Sequence, residues 1–117
     1  MKKIYYLKTC DTCKRIMKSF LLDGFSFQEI KSQPINISQL EEMRLLSGSY
    51  ETLFSRRAKK YAAMGLKDQV LGETDYQQLI LSDYTFLKRP VIIIDQLIFI
   101  GSDKKNLQRL KEHFSAL

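Results

Sequence analysis

Lys3-Ile4-Tyr5-Tyr6-Leu7-Lys8-Thr9-Cys10-Asp11-Thr12-Cys13-Lys14-Arg15-Ile16-Met17-Lys18-Ser19-Phe20-Leu21-Leu22-Asp23-Gly24 is the stretch that decides the fold. Ile4 to Leu7 form a short apolar run rich in β-formers, which with Lys3 reads as a buried strand. Lys8-Thr9-Cys10 turns the chain. From Thr12, Ile16, Met17, Phe20 and Leu21 recur at helical spacing, while Lys14, Arg15 and Lys18 fall on other faces. Asp23-Gly24 is expected to close that helix, since Gly is favoured just past a helix C-terminus. Two cysteines therefore lie where a strand hands over to a helix.

Outward from this stretch, Phe25, Phe27 and Ile30, with Ser26 and Gln28 between, support a second strand. The sum is a β-α-β unit, whose crossover is expected to be right-handed. Pro34 marks a loop. Ser38-Gln39-Leu40-Glu41 reads as a capping box, with a helix from near Gln39 to about Leu46, broken at Gly48-Ser49. Tyr50 to Phe54 reads as a short helix capped by Ser49, and Ser55 to Ala63 as a basic segment ended by Gly65. Thr74-Asp75-Tyr76-Gln77 reads as a second capping box, opening a helix to about Ser82.

The C-terminal third returns to strands. Val91 to Ile94 is strongly β-branched, Asp95-Gln96 is a tight connection, and Leu97 to Ile100 is the antiparallel partner. Ser102 is expected to cap a last helix with Leu107, Leu110, Phe114 and Leu117 as its apolar stripe. The order is β-α-β, a block of short helices, then β-β-α. Without the block this resembles the thioredoxin/glutaredoxin pattern, an α/β fold with a four-stranded mixed sheet and flanking helices. The expectation is one thioredoxin-like domain over 1–117, with a helical insertion at about 36–84 between strands 2 and 3.

The 117 residues suit one domain and can bury a core without staples. Hydrophobic residues at 44% and charged residues at 27% are ordinary for a folded chain. The net charge of +6 is compatible with an anionic substrate or an acidic partner, although the Lys and Arg residues are spread along the chain. No aromatic platform or helix-turn-helix pattern points to direct nucleic-acid binding. The apolar run after Met1-Lys2-Lys3 is too short for a signal peptide or a membrane span, so a cytoplasmic monomer without membrane contact is expected.

The only two cysteines are three positions apart. A secreted disulfide scaffold needs several pairs at longer spacings. A zinc site needs about four ligands, and the single histidine, His113, is far along the chain, so no metal is expected. Redox chemistry remains. Free N–H groups and the dipole at a helix N-terminus favour an anion, and a thiolate is one. Lys8, Lys14 and Arg15 are near enough in sequence to add to that field, which Asp11 opposes. Cys10, at the exposed helix start, is expected to attack. Cys13, one turn inside, is expected to resolve the adduct. Arg89-Pro90, just before the third strand, matches a position where thioredoxin-like folds place a cis-proline against the cysteine loop.

Three segments resemble the arsenate reductase (ArsC) family, which includes the Spx-type redox regulators. They are Cys10-Asp11-Thr12-Cys13-Lys14-Arg15, Leu53-Phe54-Ser55-Arg56-Arg57-Ala58-Lys59-Lys60-Tyr61, and Leu87 to Asp95 continuing into Ile100-Gly101-Ser102-Asp103. Order and spacing agree over essentially the whole chain. The resemblance implies a thioredoxin-like fold with a helical insertion. It implies Cys10 as nucleophile at an oxyanion site, with Thr12, Arg57, Arg89 and Pro90 lining the substrate or anion position. Arginine suits that task because its planar fork binds oxyanions bidentately and stays charged. Two features depart from the single-cysteine reductases: Cys13 is present, as in Spx-type members, and Phe99-Ile100-Gly101 lacks the third arginine of those enzymes.

Two functions follow from the resemblance. One is a thiol-dependent reductase acting on an oxyanion or a disulfide, with no bound cofactor and with glutathione, glutaredoxin or thioredoxin as reductant. The other is an Spx-type regulator whose cysteine pair switches contact with the RNA polymerase α-subunit. Spx-type members usually continue with a further basic stretch, and the end at Leu117 favours the first.

Overall fold

The computed structural model describes residues 1–115, so the expected place of Leu117 in the last apolar stripe lies outside the described residues. The chain forms two compact units, residues 1–33 with 89–117, and residues 34–88.

The first unit holds a four-stranded sheet: β1 (Lys2–Tyr6), β2 (Ser26–Glu29), β3 (Val91–Ile94) and β4 (Leu97–Ile100), in the order β2-β1-β3-β4. β1 and β2 are parallel, and the other pairs are antiparallel, so the sheet is mixed and thioredoxin-like. Ile4 sits opposite Phe27 on one side and Ile92 on the other, and Ile92 sits opposite Phe99. Ile4, Ile92, Ile94 and Phe99 join Ile16 and Leu110 in one buried cluster. Helices α1 (Asp11–Lys18) and α5 (Lys104–Ser115) therefore lie together on one face, with the Phe20 and Phe114 rings stacked at 4.7 Å.

Several local readings change. α1 stops at Lys18, not at Asp23. The Ser19 N–H turns back to the Ile16 carbonyl, and its hydroxyl donates to the Arg15 carbonyl at 2.8 Å, which competes with helix propagation. Leu21 is consequently 82% exposed and no part of the core. In β2, Gln28 is buried and Phe27 is 47% exposed. The Gln28 amide donates to the Gln33 carbonyl, while Phe27 stands edge-on to Tyr6. Asp103, not Ser102, caps α5, its carboxylate accepting the Asn106 N–H at 2.8 Å.

The second unit is built from α2 (Ile37–Ser47), α3 (Lys59–Ala63) and α4 (Glu73–Ser82), with single 3₁₀ turns at Glu51–Leu53, Leu66–Asp68 and Tyr84–Phe86. Asn36 caps α2 reciprocally with Gln39, displacing the expected Ser38/Glu41 box. At α4, Asp75 reaches back to the Gly72 N–H, displacing Thr74/Gln77. Gly48 ends α2 at φ 97°, the left-handed conformation that glycine adopts without penalty. Tyr50, not Ser49, stands at the N-cap of the Glu51–Leu53 turn, although the Ser49 hydroxyl one residue before it accepts the Thr52 N–H at 3.1 Å. Leu40, Met43, Leu53, Phe54, Ile80, Phe86 and Leu87 are buried, and Phe54 meets the Phe86, Tyr76 and Tyr61 rings. Among the described residues no helix is long and apolar enough to cross a membrane.

Candidate active site

The site begins at the C-terminal end of β1. Three strand ends meet there: the register sets Tyr5 opposite Val91, and Val91 opposite Ile100. The chain leaves β1 through a turn in which the Cys10 N–H donates to the Leu7 carbonyl at 3.1 Å. Cys10 is the N-cap of α1, with extended backbone (φ −89°, ψ 110°), and its carbonyl accepts the Lys14 N–H. The Cys10 sulfur faces the free N–H groups of the first helical turn and accepts that of Cys13 at 3.5 Å.

Both cysteines are free thiols, and their surroundings differ. Cys10 is partly exposed, while Cys13 is fully buried. Burial disfavours the Cys10 thiolate, but hydrogen bonds from the Cys13 backbone and thiol, the Arg89 charge and the Thr12 N–H outweigh it. The net direction is downward from an ordinary thiol. For Cys13, burial dominates. With the opposing Cys10 sulfur beside it, the thiol is pushed up to about 12, against weaker help from the Leu7 backbone and Arg89. The pair thus holds one accessible thiol biased toward the nucleophilic form and one sheltered thiol biased toward the protonated form.

The other expected site residues fall as follows. Thr12 contributes its N–H to the Cys10 sulfur. Arg89 supplies the charge that acts on both thiols, whereas Lys8, Lys14 and Arg15 are exposed to solvent. The Arg89–Pro90 peptide is cis, as the strand position suggests. Pro90 is buried, and its carbonyl accepts the Gly101 N–H at 2.8 Å, tying the start of β3 to the turn after β4. Arg57 belongs to the second unit, is exposed, and lies just before α3 with its N–H toward the Ser55 hydroxyl at 3.4 Å.

One residue of the site has no sequence signal. The Glu29 carboxylate, at the end of β2, accepts the Lys8 N–H at 2.9 Å through one oxygen. The other oxygen accepts the Ser32 N–H and hydroxyl, each at 2.8 Å. It fastens the turn leading to Cys10, two residues upstream of the thiol. These hydrogen bonds, that of Lys8 foremost, hold its carboxyl below the usual range. Only the parallel pairing of β1 with β2 brings Glu29 to this turn, so a single-sequence reading passes it by.

With this geometry in view, residues 5–110 match the ArsC family. The chain belongs to that family. It is 22% identical over 112 residues to the global transcriptional regulator Spx of Enterococcus faecalis, covering 93% of this chain and 85% of the regulator. Its fold is similar to that of a possible arsenate reductase from Streptococcus mutans, with TM-score 0.73, 25% identity and coverage of 95% and 98% of the two chains. It is also similar to that of the arsenate reductase from Vibrio cholerae, with TM-score 0.72, 15% identity and coverage of 94% and 95%. ArsC relatives thus include a transcriptional regulator beside arsenate reductases.

Proposed function

We propose that this ArsC-family chain is a thiol-dependent oxidoreductase that uses Cys10 as nucleophile and Cys13 as resolving thiol. The observation that carries the reading is the asymmetry of the pair: Cys10 partly exposed and lowered, Cys13 buried and pushed up to about 12. On a disulfide substrate, the Cys10 thiolate attacks one sulfur, a mixed disulfide forms, and the other substrate sulfur leaves as a thiolate. Cys13 passes its proton to a departing thiolate and attacks the Cys10 sulfur. The second substrate thiol leaves, and the chain holds a Cys10–Cys13 disulfide. Two electrons have moved to the substrate. An external dithiol such as thioredoxin, or two glutathione molecules directly or through glutaredoxin, restores the pair.

Arg89 and, by family resemblance, Arg57 hold the anionic part of the substrate, with Thr12 and Pro90 beside the thiol. Arsenate is the family's namesake substrate, but Phe99-Ile100-Gly101 offers no third arginine, and Cys13 supplies an internal resolving thiol. Both features favour a disulfide over arsenate. The test is a coupled turnover assay comparing arsenate with glutathione-linked and thioredoxin-linked disulfides. Cys10→Ser is expected to abolish turnover. Cys13→Ser is expected to accumulate a mixed disulfide with the substrate, visible by mass spectrometry. Intact turnover in Cys10→Ser overturns the reading.

A second reading is favoured by the likeness to the Enterococcus faecalis regulator: the same dithiol switching contact with the RNA polymerase α-subunit. A pulldown of the α-subunit by the reduced and oxidised chain separates the two. Redox-dependent retention without turnover supports the regulator.

A further inference from the structure

The net charge of the chain is not shared between its two units. Residues 1–33 and 89–117 carry twelve Lys and Arg against six Asp and Glu, whereas residues 34–88 carry seven against seven. The whole excess of +6 therefore belongs to the unit that contains Cys10.

Most carboxylates of that unit are already engaged. Glu29 accepts from Lys8 and Ser32, Asp103 caps α5, and Glu112 accepts from the Gln108 amide. Asp95 binds the Met1 ammonium at 2.7 Å, at the β3–β4 turn, the opposite end of the sheet from Cys10. The cations at the Cys10 end are different. Lys8 precedes the thiol, and Lys14 and Arg15 lie on the first turns of α1. Lys104 and Lys105 open α5, which the Gly101 N–H to Pro90 carbonyl bond anchors to the same end of the sheet. All five are exposed, and none forms an ion pair among the described residues. Asp11 and Asp103 are exposed carboxylates among them, and Glu29 stands beside Lys8, so the five cations face three carboxylates. The cations of this end outnumber its carboxylates, so the arrangement suits a partner that supplies negative charge.

We propose that this basic end is a docking surface for an acidic protein carrying the disulfide that Cys10 exchanges with. The inference rests on the thiol-exchange reading above. The reaction is the same two-electron exchange, and the surface adds encounter rate and partner choice. Carboxylates around the partner's disulfide would meet Lys14, Arg15, Lys104 and Lys105 as its sulfur reaches Cys10. An acidic protein is favoured over a nucleic acid because these cations share the end of the sheet that carries the Cys10 thiol, which needs a sulfur electrophile.

The test uses the full reduced chain and three disulfide-bonded peptides of one length, in which the cystine is flanked by Glu, Gln or Lys. Exchange is followed by stopped flow from low salt to about 0.5 M NaCl. The Glu peptide is expected to react roughly tenfold or more faster than the Gln peptide at low salt, and to lose that advantage as salt rises. Lys104→Glu/Lys105→Glu is expected to remove the advantage and leave the Gln-peptide rate unchanged, which also reports correct folding. Equal, salt-insensitive rates for the three peptides overturn this inference alone. Displacement of the Glu peptide by a DNA duplex or RNA at physiological salt overturns it in favour of nucleic acid. No exchange with any peptide overturns the thiol-exchange reading and this inference with it.

Discussion

Two opposing influences meet at the Cys10 sulfur. Burial opposes its charge, and the hydrogen bonds of Cys13 and Thr12 together with Arg89 favour it, with a net lowering. The hydrogen bonds are built into the helix start and survive most substitutions. Arg89 does not. Arg89→Ala is expected to raise the Cys10 thiol pKa, seen as an upward shift in the thiolate absorbance titration near 240 nm. It is also expected to weaken oxyanion binding by about 1.5–3 kcal/mol, roughly 10- to 100-fold in Kd, the usual loss for a charged hydrogen bond. Lys60→Ala is the comparison. Lys60 belongs to the second unit and pairs with Asp83 at 2.6 Å, holding that carboxyl down at about 2. It is expected to leave oxyanion binding unchanged. Equal losses in the two variants would remove Arg89 from the site. The Cys10/Cys13 pair and the strand-turn-helix around it were legible in the sequence because they are near neighbours in the chain, whereas Arg89 meets the thiols only through the fold and was pointed to by the family resemblance.

Elements were legible where the pattern is repetitive. The β-branched run Val91 to Ile94 could be little but a buried strand, and its partner follows after two residues. Helix ends were less so, because several acceptors compete. Ser38 and Asn36, Thr74 and Asp75, Ser102 and Asp103 are near neighbours, and in each case the amide or carboxylate took the N–H in place of the hydroxyl. Long-range caps were not legible at all. Glu73 accepts the Tyr50 and Glu51 N–H groups at 2.7 and 3.1 Å, and Glu29 does the like for Lys8 and Ser32. Both are exposed carboxylates until the fold supplies their partners. Glu29 yields an element-scale prediction. Glu29→Ala is expected to speed hydrogen exchange at the Lys8 and Ser32 amides, and Glu29→Gln, which keeps an acceptor, to restore much of the protection. The carboxyl of Glu29 is lowered in the folded chain, so its stabilising effect is full above the ordinary carboxylate range. It is lost as pH falls through the folded value. Protection at Lys8 is therefore expected to weaken on acidification in the parent chain and to be insensitive in Glu29→Gln. Unchanged exchange in Glu29→Ala would show that the β1–α1 turn holds without this carboxylate.

At the scale of the whole molecule the two thiols make folding itself pH-dependent, and in opposite senses. Cys10 is lowered in the folded chain, so it adds stability above the ordinary thiol value and loses it as pH falls through the folded one. Cys13 is raised from 9.0 to about 12, so its contribution is full below pH 9 and is lost as pH rises from 9 toward 12. Over that interval the unfolded chain releases a proton that the folded chain retains. One such group costs at most about 1.4 kcal/mol of stability per pH unit. The reduced parent chain is therefore expected to lose stability above pH 9 more steeply than reduced Cys13→Ala. Groups other than the two coupled thiols are common to both chains and cancel in the comparison. Urea unfolding midpoints from pH 8 to 11 measure the two slopes. The substitution itself lowers the whole curve by truncating a fully buried side chain, so the slope carries the result and not the height. Parallel curves would mean that Cys13 ionises as readily inside the fold as outside it. The resolving thiol would then lack the shelter that separates its role from that of Cys10.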